Sequence, residues 1–246
     1  MDNHLFTRRD TSTFNETPFS QFPDECFSSQ KDRVIKGKLL TAPDVDIDSL
    51  LPCIKLENIA RPEECYDNTI VICSPIFLTI QFSGSNNYFE FGENNSGIWM
   101  LRTWLDNITM IVRDNVTSNG VDCFLNPNAR VYIGEDCMFS LCHINAGDNH
   151  AVFDMETKEI LNEVHAPTVI IREHVWVGLL ASVLEGSDIG AGSILATKSV
   201  CKGSFPNQSL LAGIPSQVKR SNVSWSRDYL ASDREEVIKF LNSLSA

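Results

Sequence analysis

The chain has 246 residues, 43% of them hydrophobic and 21% charged, and its formal net charge at pH 7 is −12. This composition excludes a disordered chain and suffices for one extended core, or for one domain with an appendage. The acidic balance argues against a nucleic-acid-binding protein, because a phosphate backbone is bound by clustered lysine and arginine side chains.

The sequence carries no sign of export or of membrane insertion. No apolar run follows Arg8 and Arg9, so we expect neither a secretory signal nor a twin-arginine signal. No segment approaches the roughly eighteen apolar residues of a membrane span. The eight cysteines form no C-x-x-C pair and no zinc-ribbon spacing. We therefore expect reduced thiols in a cytoplasmic protein.

The first part of the chain shows no repeat. Five prolines divide residues 1–65 into short mixed segments, and an irregular N-terminal extension is expected there. The apolar stretch at residues 69–82, followed by glycine and asparagine, has the strand-turn-strand rhythm of an imperfect coil. The predicted domain of stacked strands therefore spans residues 66–215.

The most regular part of the sequence is residues 171–206, which form six consecutive hexads. Their first positions are Ile171, Val177, Val183, Ile189, Leu195 and Cys201. Neither an α-helix nor a single strand places an aliphatic residue at every sixth position. A chain that turns a corner every six residues does so, and the pattern predicts a mainly β protein built as a parallel β-helix, with Ile171 over Ile189. Gly178 and Gly190 follow the aliphatic position, where we expect crowding or a positive φ.

The hexad rhythm stops between Ile144 and Thr168, where the residues are polar, charged and rich in turn formers. An insertion of this length in a solenoid predicts a loop that projects outward, here residues 145–168. The loop contains His150, a residue type suited to taking a proton from a hydroxyl at neutral pH, with Asp148 placed to orient it. The alternative is a solvated loop histidine without a function.

The C-terminal extension, residues 216–246, is expected to end in a short helix packed on the last coil. Residues 207–216 indicate an irregular exit from the coils. Ser232 and Glu235 have the spacing of a capping box. Apolar residues at helical spacing follow them, at Val237, Phe240, Leu241 and Leu244.

Four short motifs accompany the hexads: Gly147–Asp154, Ile171–Gly178, Ala212–Pro215 and Ser224–Arg227. Together they resemble motifs of the hexapeptide-repeat acyltransferases, in particular the O-acetyltransferases that modify capsular polysaccharides, including polysialic acid. The resemblance implies a left-handed parallel β-helix with an extruded active-site loop and a short C-terminal helix. It implies that His150 is the general base and that Trp176 lies beside the acetyl group. Gly147 and Cys201 depart from the family pattern, in which serine and an aliphatic residue are common.

The resemblance also implies the reaction, which is transfer of acetyl from acetyl-CoA to a sugar hydroxyl in one step. A backbone N–H near Trp176 or Gly178 would stabilise the oxyanion. A homotrimer is implied, in which His150 of one subunit faces Trp176 of its neighbour. The residues expected to contact the cofactor are Trp176, Gly178, Ala181, Ala196, Lys198, Lys202, Pro215 and Lys219, with Arg220 as a further cation for its phosphates. Each lysine is equally consistent with an ordinary surface position.

Several alternatives stay open. The acceptor is a polysaccharide or a small molecule, such as a monosaccharide, a nucleotide sugar, serine or an antibiotic, and a non-catalytic scaffold is the alternative from another class. A β-helix carbonic anhydrase would bind zinc through three histidines that include an H-x4-H pair, which the sequence lacks, so no metal is expected. Among the other histidines, His143 is expected to face inward or to bond to a neighbouring coil, and His165 is expected to have a loop role. His174 is expected either to line the site or to face solvent.

Overall fold

The computed structural model describes residues 3–28, 34–59, 65–148, 150–162 and 166–244. The strands up to the insertion are β1 (Asn15–Pro18), β2 (Ile35–Thr41), β3 (Ile54–Asn58), β4 (Cys65–Ile72), β5 (Phe77–Phe82), β6 (Tyr88–Phe91), β7 (Ser96–Thr103), β8 (Thr109–Val112), β9 (Thr117–Leu125), β10 (Arg130–Ile133), β11 (Met138–Phe139) and β12 (Cys142–Ala146). The later strands are β13 (Thr168–Ile171), β14 (Trp176–Val177), β15 (Ser182–Leu184), β16 (Asp188–Ile189), β17 (Ile194–Leu195), β18 (Val200–Cys201), β19 (Ser204–Phe205), β20 (Ser209–Gly213) and β21 (Ser216–Ser221). The α-helices are α1 (Ile47–Leu50) and α2 (Ala231–Ser243), and short 3₁₀ helices cover Asn3–Phe6, Phe19–Gln21, Asp24–Cys26 and Leu51–Cys53.

The strands stack into a parallel β-helix with three faces. The first face is formed by β2, β4, β6, β8, β10, β13, β16 and β19, which pair in that order. The second face contains β11, β14, β17 and β20, and the third contains β3, β5, β12, β15 and β18. Strands β7 and β9 bend across the corner between the second and third faces, so each takes part in both.

The predicted stacking of the hexads is confirmed. Ile171 pairs in register with Ile189, and Val177 pairs with Leu195 one coil later. All of these side chains are fully buried in one continuous core. The aliphatic columns therefore form the interior of the solenoid, as the six-residue period predicts.

The coils begin earlier than predicted. Strand β2 pairs in parallel with β4, and β3 pairs in parallel with β5, so part of the expected irregular extension already belongs to the solenoid. These coils are wider than the hexads. Tyr88, for example, lies beside Thr109, which is 21 residues later in the sequence. Bulky side chains fill the wider interior, with Trp99 in edge contact with Phe91 and Phe139. A period of 21 residues with aromatic filling does not produce a hexad pattern.

The N-terminal segment lies along the outside of the first face. Arg9 contacts Glu90 and Glu93 of one coil and Asp114 of the next. Glu90 is fully buried and also accepts a hydrogen bond from Arg113 at 3.1 Å. Apolar side chains of the segment cover a stripe on the outer surface of this face, which consists of Leu40, Val71, Tyr88, Ile111, Tyr132 and Ile170. The first face is therefore closed to other partners along this stripe.

Cysteines occupy core positions in place of aliphatic residues. Cys123, Cys137, Cys142 and Cys201 are free, buried thiols. Burial raises the pKa of Cys142 to about 12 and that of Cys201 to about 11, so these thiols stay neutral and pack as small apolar groups.

No helix in the described ranges is long and apolar enough to cross a membrane.

Gly178 and Gly190 do not adopt positive φ, so the crowding of the turn explains them. A Cβ on Gly178 would lie 2.8 Å from the carbonyl oxygen of Leu195 and 2.8 Å from the amide nitrogen of Thr197. The left-handed positions are elsewhere. At the corner between the first and second faces they are Asn94, Asn115, Asp136, His174, Gly192 and Gln208.

The C-terminal region differs from the predictions in two respects. Residues 207–216 are not irregular, because β20 extends the second face and β21 pairs with it in antiparallel orientation. Helix α2 is present, but the predicted capping box is wrong. The helix begins at Ala231, so Ser232 lies inside it, and no side chain caps its N-terminus. Of the apolar stripe only Leu241 is buried, and it packs over Gly192.

Candidate active site

The insertion between β12 and β13 is an ordered hairpin. Its arms meet at the bridge between Phe153 and Ile160, and the N–H of Leu161 donates to the carbonyl of Val152 at 2.7 Å. At the turn, the Asp154 carboxylate accepts backbone N–H groups of the next residues, and these hydrogen bonds hold the pKa of Asp154 below its ordinary value. The expected outward loop is therefore a rigid element with a defined turn.

The hairpin exposes an unusual amount of apolar surface. Its large exposed apolar side chains are Val152, Phe153, Met155, Ile160 and Leu161. Met155, at the turn, is 82% exposed. Several large exposed apolar side chains on one extended element are typical of a contact with another protein surface.

His150 lies at the base of the hairpin and is exposed. Its carbonyl oxygen accepts a hydrogen bond from Nδ2 of Asn162 at 2.8 Å. Within the described residues no hydrogen bond reaches its imidazole. The Asp148 carboxylate accepts from Asn162 at 2.9 Å instead of orienting the ring, so the expected Asp148 to His150 contact is not formed in this conformation.

Trp176 lies on the outside of the second face, between Met138 and Ile194 in the neighbouring coils. Its indole is 6.2 Å from the ring of Trp225, measured between centroids. The indole Nε1 is buried and has no hydrogen-bond partner among the described residues. A buried donor without a partner costs about 1–3 kcal/mol, so this N–H is a candidate for binding a ligand.

The backbone N–H groups of Trp176 and Gly178 themselves are already used in hydrogen bonds. The N–H of Trp176 donates to the carbonyl of Ser193 at 3.0 Å, and that of Gly178 donates to the carbonyl of Leu195 at 2.8 Å. Both bonds belong to the ladder between successive coils. These two groups are used for stacking, so an oxyanion donor near Trp176 or Gly178 stays a prediction, with the Trp176 side chain as a further candidate donor.

The hairpin and Trp176 lie on opposite sides of one chain. The hairpin leaves at the corner between the third and first faces, whereas Trp176 is on the second face, across the core. His150 and Trp176 therefore do not meet within a single subunit.

The remaining predicted cofactor residues have diverse surroundings. The Ala181 side chain is fully buried in the core, and Ala196 is half-buried at the end of β17. Nζ of Lys202 lies 2.8 Å from Glu185, and Nζ of Lys219 lies 3.3 Å from Gln217. Lys198 is exposed. Pro215, also exposed, follows a cis peptide bond between β20 and β21.

Comparisons with known proteins agree with this architecture. No protein-family model matches the chain. Over 161 residues it is 29% identical to the lipopolysaccharide biosynthesis O-acetyl transferase WbbJ of Escherichia coli K12, covering 62% of this chain and 79% of that protein. Over 109 residues it is 30% identical to the polysialic acid O-acetyltransferase of Escherichia coli O1:K1, covering 44% of this chain. The match spans only 34% of that relative's length.

The crystal structure of the polySia-specific acetyltransferase NeuO has the same fold, with a TM-score of 0.65 at 25% identity, covering 74% of this chain and 87% of that one. The predicted resemblance to the hexapeptide-repeat acyltransferases is confirmed. The left-handed parallel β-helix predicted for the chain is confirmed as well.

His143 does not face inward, but it does contact a neighbouring coil, which was the other expectation for this residue. Cys142, Ile144 and Ala146 of β12 point into the core, so the alternation of the strand turns His143 to the surface of the third face. Its Nδ1 lies 3.7 Å from Oδ2 of Asp122, which is paired with Arg102 at 3.0 Å.

His174 neither lines an open site nor faces solvent. It is 1% exposed and stacks on Trp225 at 4.3 Å between ring centroids. Its Nδ1 contacts Asp136 at 2.7 Å and its Nε2 contacts the carbonyl of Trp225 at 2.9 Å. Arg227 also binds Asp136, at 2.9 Å. Sequence reasoning noted the Ser224–Arg227 motif without finding its partner, because the two segments are distant in sequence.

No group of three potential metal-binding side chains occurs in the part of the chain that the structure describes. His165 lies outside the described residues, so its expected loop role has no structural description. The absence of a metal remains a prediction.

Proposed function

We propose that the chain is an acetyl-CoA-dependent O-acetyltransferase that modifies a sugar hydroxyl of a bacterial surface polysaccharide. The observation that carries the proposal is a β-helix that presents His150 on a hydrogen-bonded hairpin and Trp176, whose buried N–H lacks a partner among the described residues, on the outside of the second face. The names of the relatives, which act on polysialic acid and in lipopolysaccharide biosynthesis, support this acceptor class.

His150 takes the proton from the acceptor hydroxyl while the hydroxyl oxygen attacks the thioester carbonyl of acetyl-CoA. The carbon–sulfur bond breaks, and the departing CoA sulfur takes the proton from the imidazolium. A positioned base of this kind contributes about 10²- to 10⁴-fold to the rate. The Trp176 indole N–H donates to the carbonyl oxygen as negative charge develops on it, a contribution of about 10²- to 10³-fold for one such donor.

The proposed enzyme is a homotrimer in which His150 of one subunit reaches Trp176 of the next. Two observations support this assembly. The two residues lie on opposite sides of one chain, and the hairpin that carries His150 exposes apolar side chains. Closed cyclic symmetry would bury these surfaces and complete three equivalent sites.

The CoA moiety is proposed to bind along the second face toward the narrow end of the solenoid. Lys198 is the strongest candidate for a phosphate contact, because it is exposed and forms no ion pair in the described ranges. Lys202, Lys219 and Pro215 remain proposed contacts at the same end. Ala181 has its side chain in the core and can contribute only its backbone.

A cytoplasmic location is part of the proposal, supported by the buried thiols. Acetyl-CoA consumption measured against a panel of capsular polysaccharides and free sugars tests the function. Turnover with a polysaccharide supports it, whereas turnover with free sugars alone indicates a small acceptor. Calorimetric titration with acetyl-CoA identifies a scaffold, which would bind none.

A further inference from the structure

One side chain, Asn162, closes the base of the hairpin that carries His150. Its Nδ2 donates to the carbonyl of His150 at 2.8 Å and to Oδ2 of Asp148 at 2.9 Å. Its Oδ1 accepts the backbone N–H of Val152 at 2.7 Å. A single amide therefore contacts three alternate residues of the opposite arm, and both of its donor hydrogens are used.

The solenoid holds the same arm from below. Asn126, at the corner after β9, is buried and donates from Nδ2 to the carbonyl of Asp148. Gly147 lies directly over it, since a Cβ at this position would be 2.7 Å from Cβ of Asn126. The chain is thus fixed to the scaffold just before His150 and to the opposite arm at and after it.

We propose that Asn162 is a positioning residue for the His150 base, an inference that rests on the proposed function. Asn162 does not reach the reacting atoms. It fixes the backbone from which the imidazole projects, in a hairpin that is otherwise exposed. A displacement of about 1 Å in a catalytic group can cost about 10²-fold in rate, so holding the backbone has a catalytic consequence.

The partners of Asn162 require an amide. A carbonyl and a carboxylate both face Nδ2, whereas an N–H faces Oδ1. Aspartate at this position would keep the contact to Val152 and would place a second carboxylate against Asp148, which is unfavourable. Alanine would remove all three hydrogen bonds.

The test compares Asn162→Ala and Asn162→Asp with the wild-type enzyme. We expect kcat to fall by about 10- to 100-fold in both, while KM for acetyl-CoA and the melting temperature stay unchanged. Donor binding is unaffected because all three hydrogen bonds of the Asn162 side chain stay within the hairpin and Asn162 is not among the proposed acetyl-CoA contacts. The melting temperature is unaffected because no side chain of residues 150–162 belongs to the hydrophobic core. Thr157→Ala, at the turn of the same hairpin, is the matched control and should keep the wild-type kcat.

A double variant tests the pairing itself. Asp148→Asn combined with Asn162→Asp exchanges donor and acceptor and restores the bond between the two side chains. We expect it to recover several-fold of the kcat lost in Asn162→Asp, a non-additive result that a general loss of folding does not produce. Failure to recover any activity would contradict the pairing.

Other results separate this proposal from the proposed function. A wild-type kcat in Asn162→Ala overturns the positioning role, and so does a kcat loss matched by weaker acetyl-CoA binding and a lower melting temperature. If the wild-type protein consumes no acetyl-CoA with any acceptor, the proposed function fails. Hydrogen exchange at the Val152 amide then tests whether Asn162 holds the two arms together. Exchange should accelerate in Asn162→Ala and not in Thr157→Ala. Equal exchange in all three proteins overturns it.

Discussion

Nδ1 of His174 lies 2.7 Å from Oδ2 of Asp136, and both residues occupy the left-handed position of the same corner in successive coils. Trp225 and Arg227 bind to this pair from the C-terminal segment. The contact therefore joins two levels of the solenoid to the strand-free segment that leads into α2. It also places Trp225 beside Trp176, so the corner supports one wall of the candidate site.

The contact between Asp136 and His174 leads us to predict that the stability of the fold depends on pH. Burial alone would raise the pKa of Asp136, but hydrogen bonds from His174 and Arg227 outweigh it and lower the pKa below its ordinary value. A lowered folded-state pKa contributes stability above the unfolded value of about 3.9, and this contribution is lost as the pH falls through the folded-state pKa. Melting temperatures of Asp136→Asn should therefore be lower than wild type at neutral pH and converge with it in acid. Asp67→Asn, at another left-handed corner, is the control and should follow the wild type at every pH.

His150→Ala should lower kcat by at least about 10²-fold and leave acetyl-CoA binding nearly unchanged, because it removes the base and no donor contact. Steady-state kinetics and calorimetric titration measure the two effects. His143→Ala is the control, since this side chain lies on the third face. Wild-type turnover in His150→Ala, with turnover lost in His143→Ala, would mean that the base is assigned to the wrong histidine.

Trp176→Phe and Trp176→Ala separate the indole N–H from the indole surface. The phenylalanine variant keeps an aromatic ring and loses the N–H donor. Its kcat should therefore fall by about 10²-fold with little change in KM for acetyl-CoA. The alanine variant should also raise KM, because the contact area is lost. Equal kcat in Trp176→Phe and the wild-type enzyme would show that Trp176 contributes contact area and no hydrogen bond.

Met155→Asp should break the proposed trimer, because it puts a charge on an exposed apolar side chain at the turn of the hairpin. Analytical ultracentrifugation should show a smaller species, and turnover should be lost with it. Lys158→Asp changes the charge of the same turn outside the apolar surface and should stay trimeric. A monomeric wild-type protein that turns over acetyl-CoA would contradict the shared site.

Gly178→Ala should destabilise the fold by about 1–3 kcal/mol, because the added methyl group meets the backbone of the next coil. Chemical denaturation measures this loss. Leu179→Ala, next to it and exposed, should have little effect. A variant of normal stability with a raised KM for acetyl-CoA would instead assign Gly178 to the cofactor groove.

The sequence predicts best where the solenoid is narrow. The hexads from Ile171 onward have two buried positions per six, the aliphatic first position and the mostly small fifth position, so their spacing alone predicts the register of the coils. The wide coils before the insertion accommodate Trp99 and several phenylalanines in the same interior, and their longer period conceals them. Ile35 and Ile54 accordingly begin strands that composition alone does not predict.

The candidate site likewise has features that the sequence predicts and features that depend on the folded structure. His150 and Trp176 were identified from motifs, whereas the role of Asn162 depends on two arms of a hairpin meeting in space. The outward orientation of His143 follows from the alternation in β12, where Cys142, Ile144 and Ala146 face the core, so the sequence already contained this signal. The surroundings of His174 could not be predicted in this way, because its hydrogen-bond partners Asp136 and Trp225 lie 38 and 51 residues away in the sequence.

The narrowing of the coils gives the solenoid a direction. One step along the first face takes 21 residues at Tyr88, 18 at Ile171 and 16 at Ile189. The two ends of the rod therefore have different perimeters. An open stack of parallel strands is at risk of growing end to end into fibres, since each terminal coil offers unpaired backbone groups to another copy. Here a narrow end would have to stack on a wide one, so the mismatch itself opposes polymerisation.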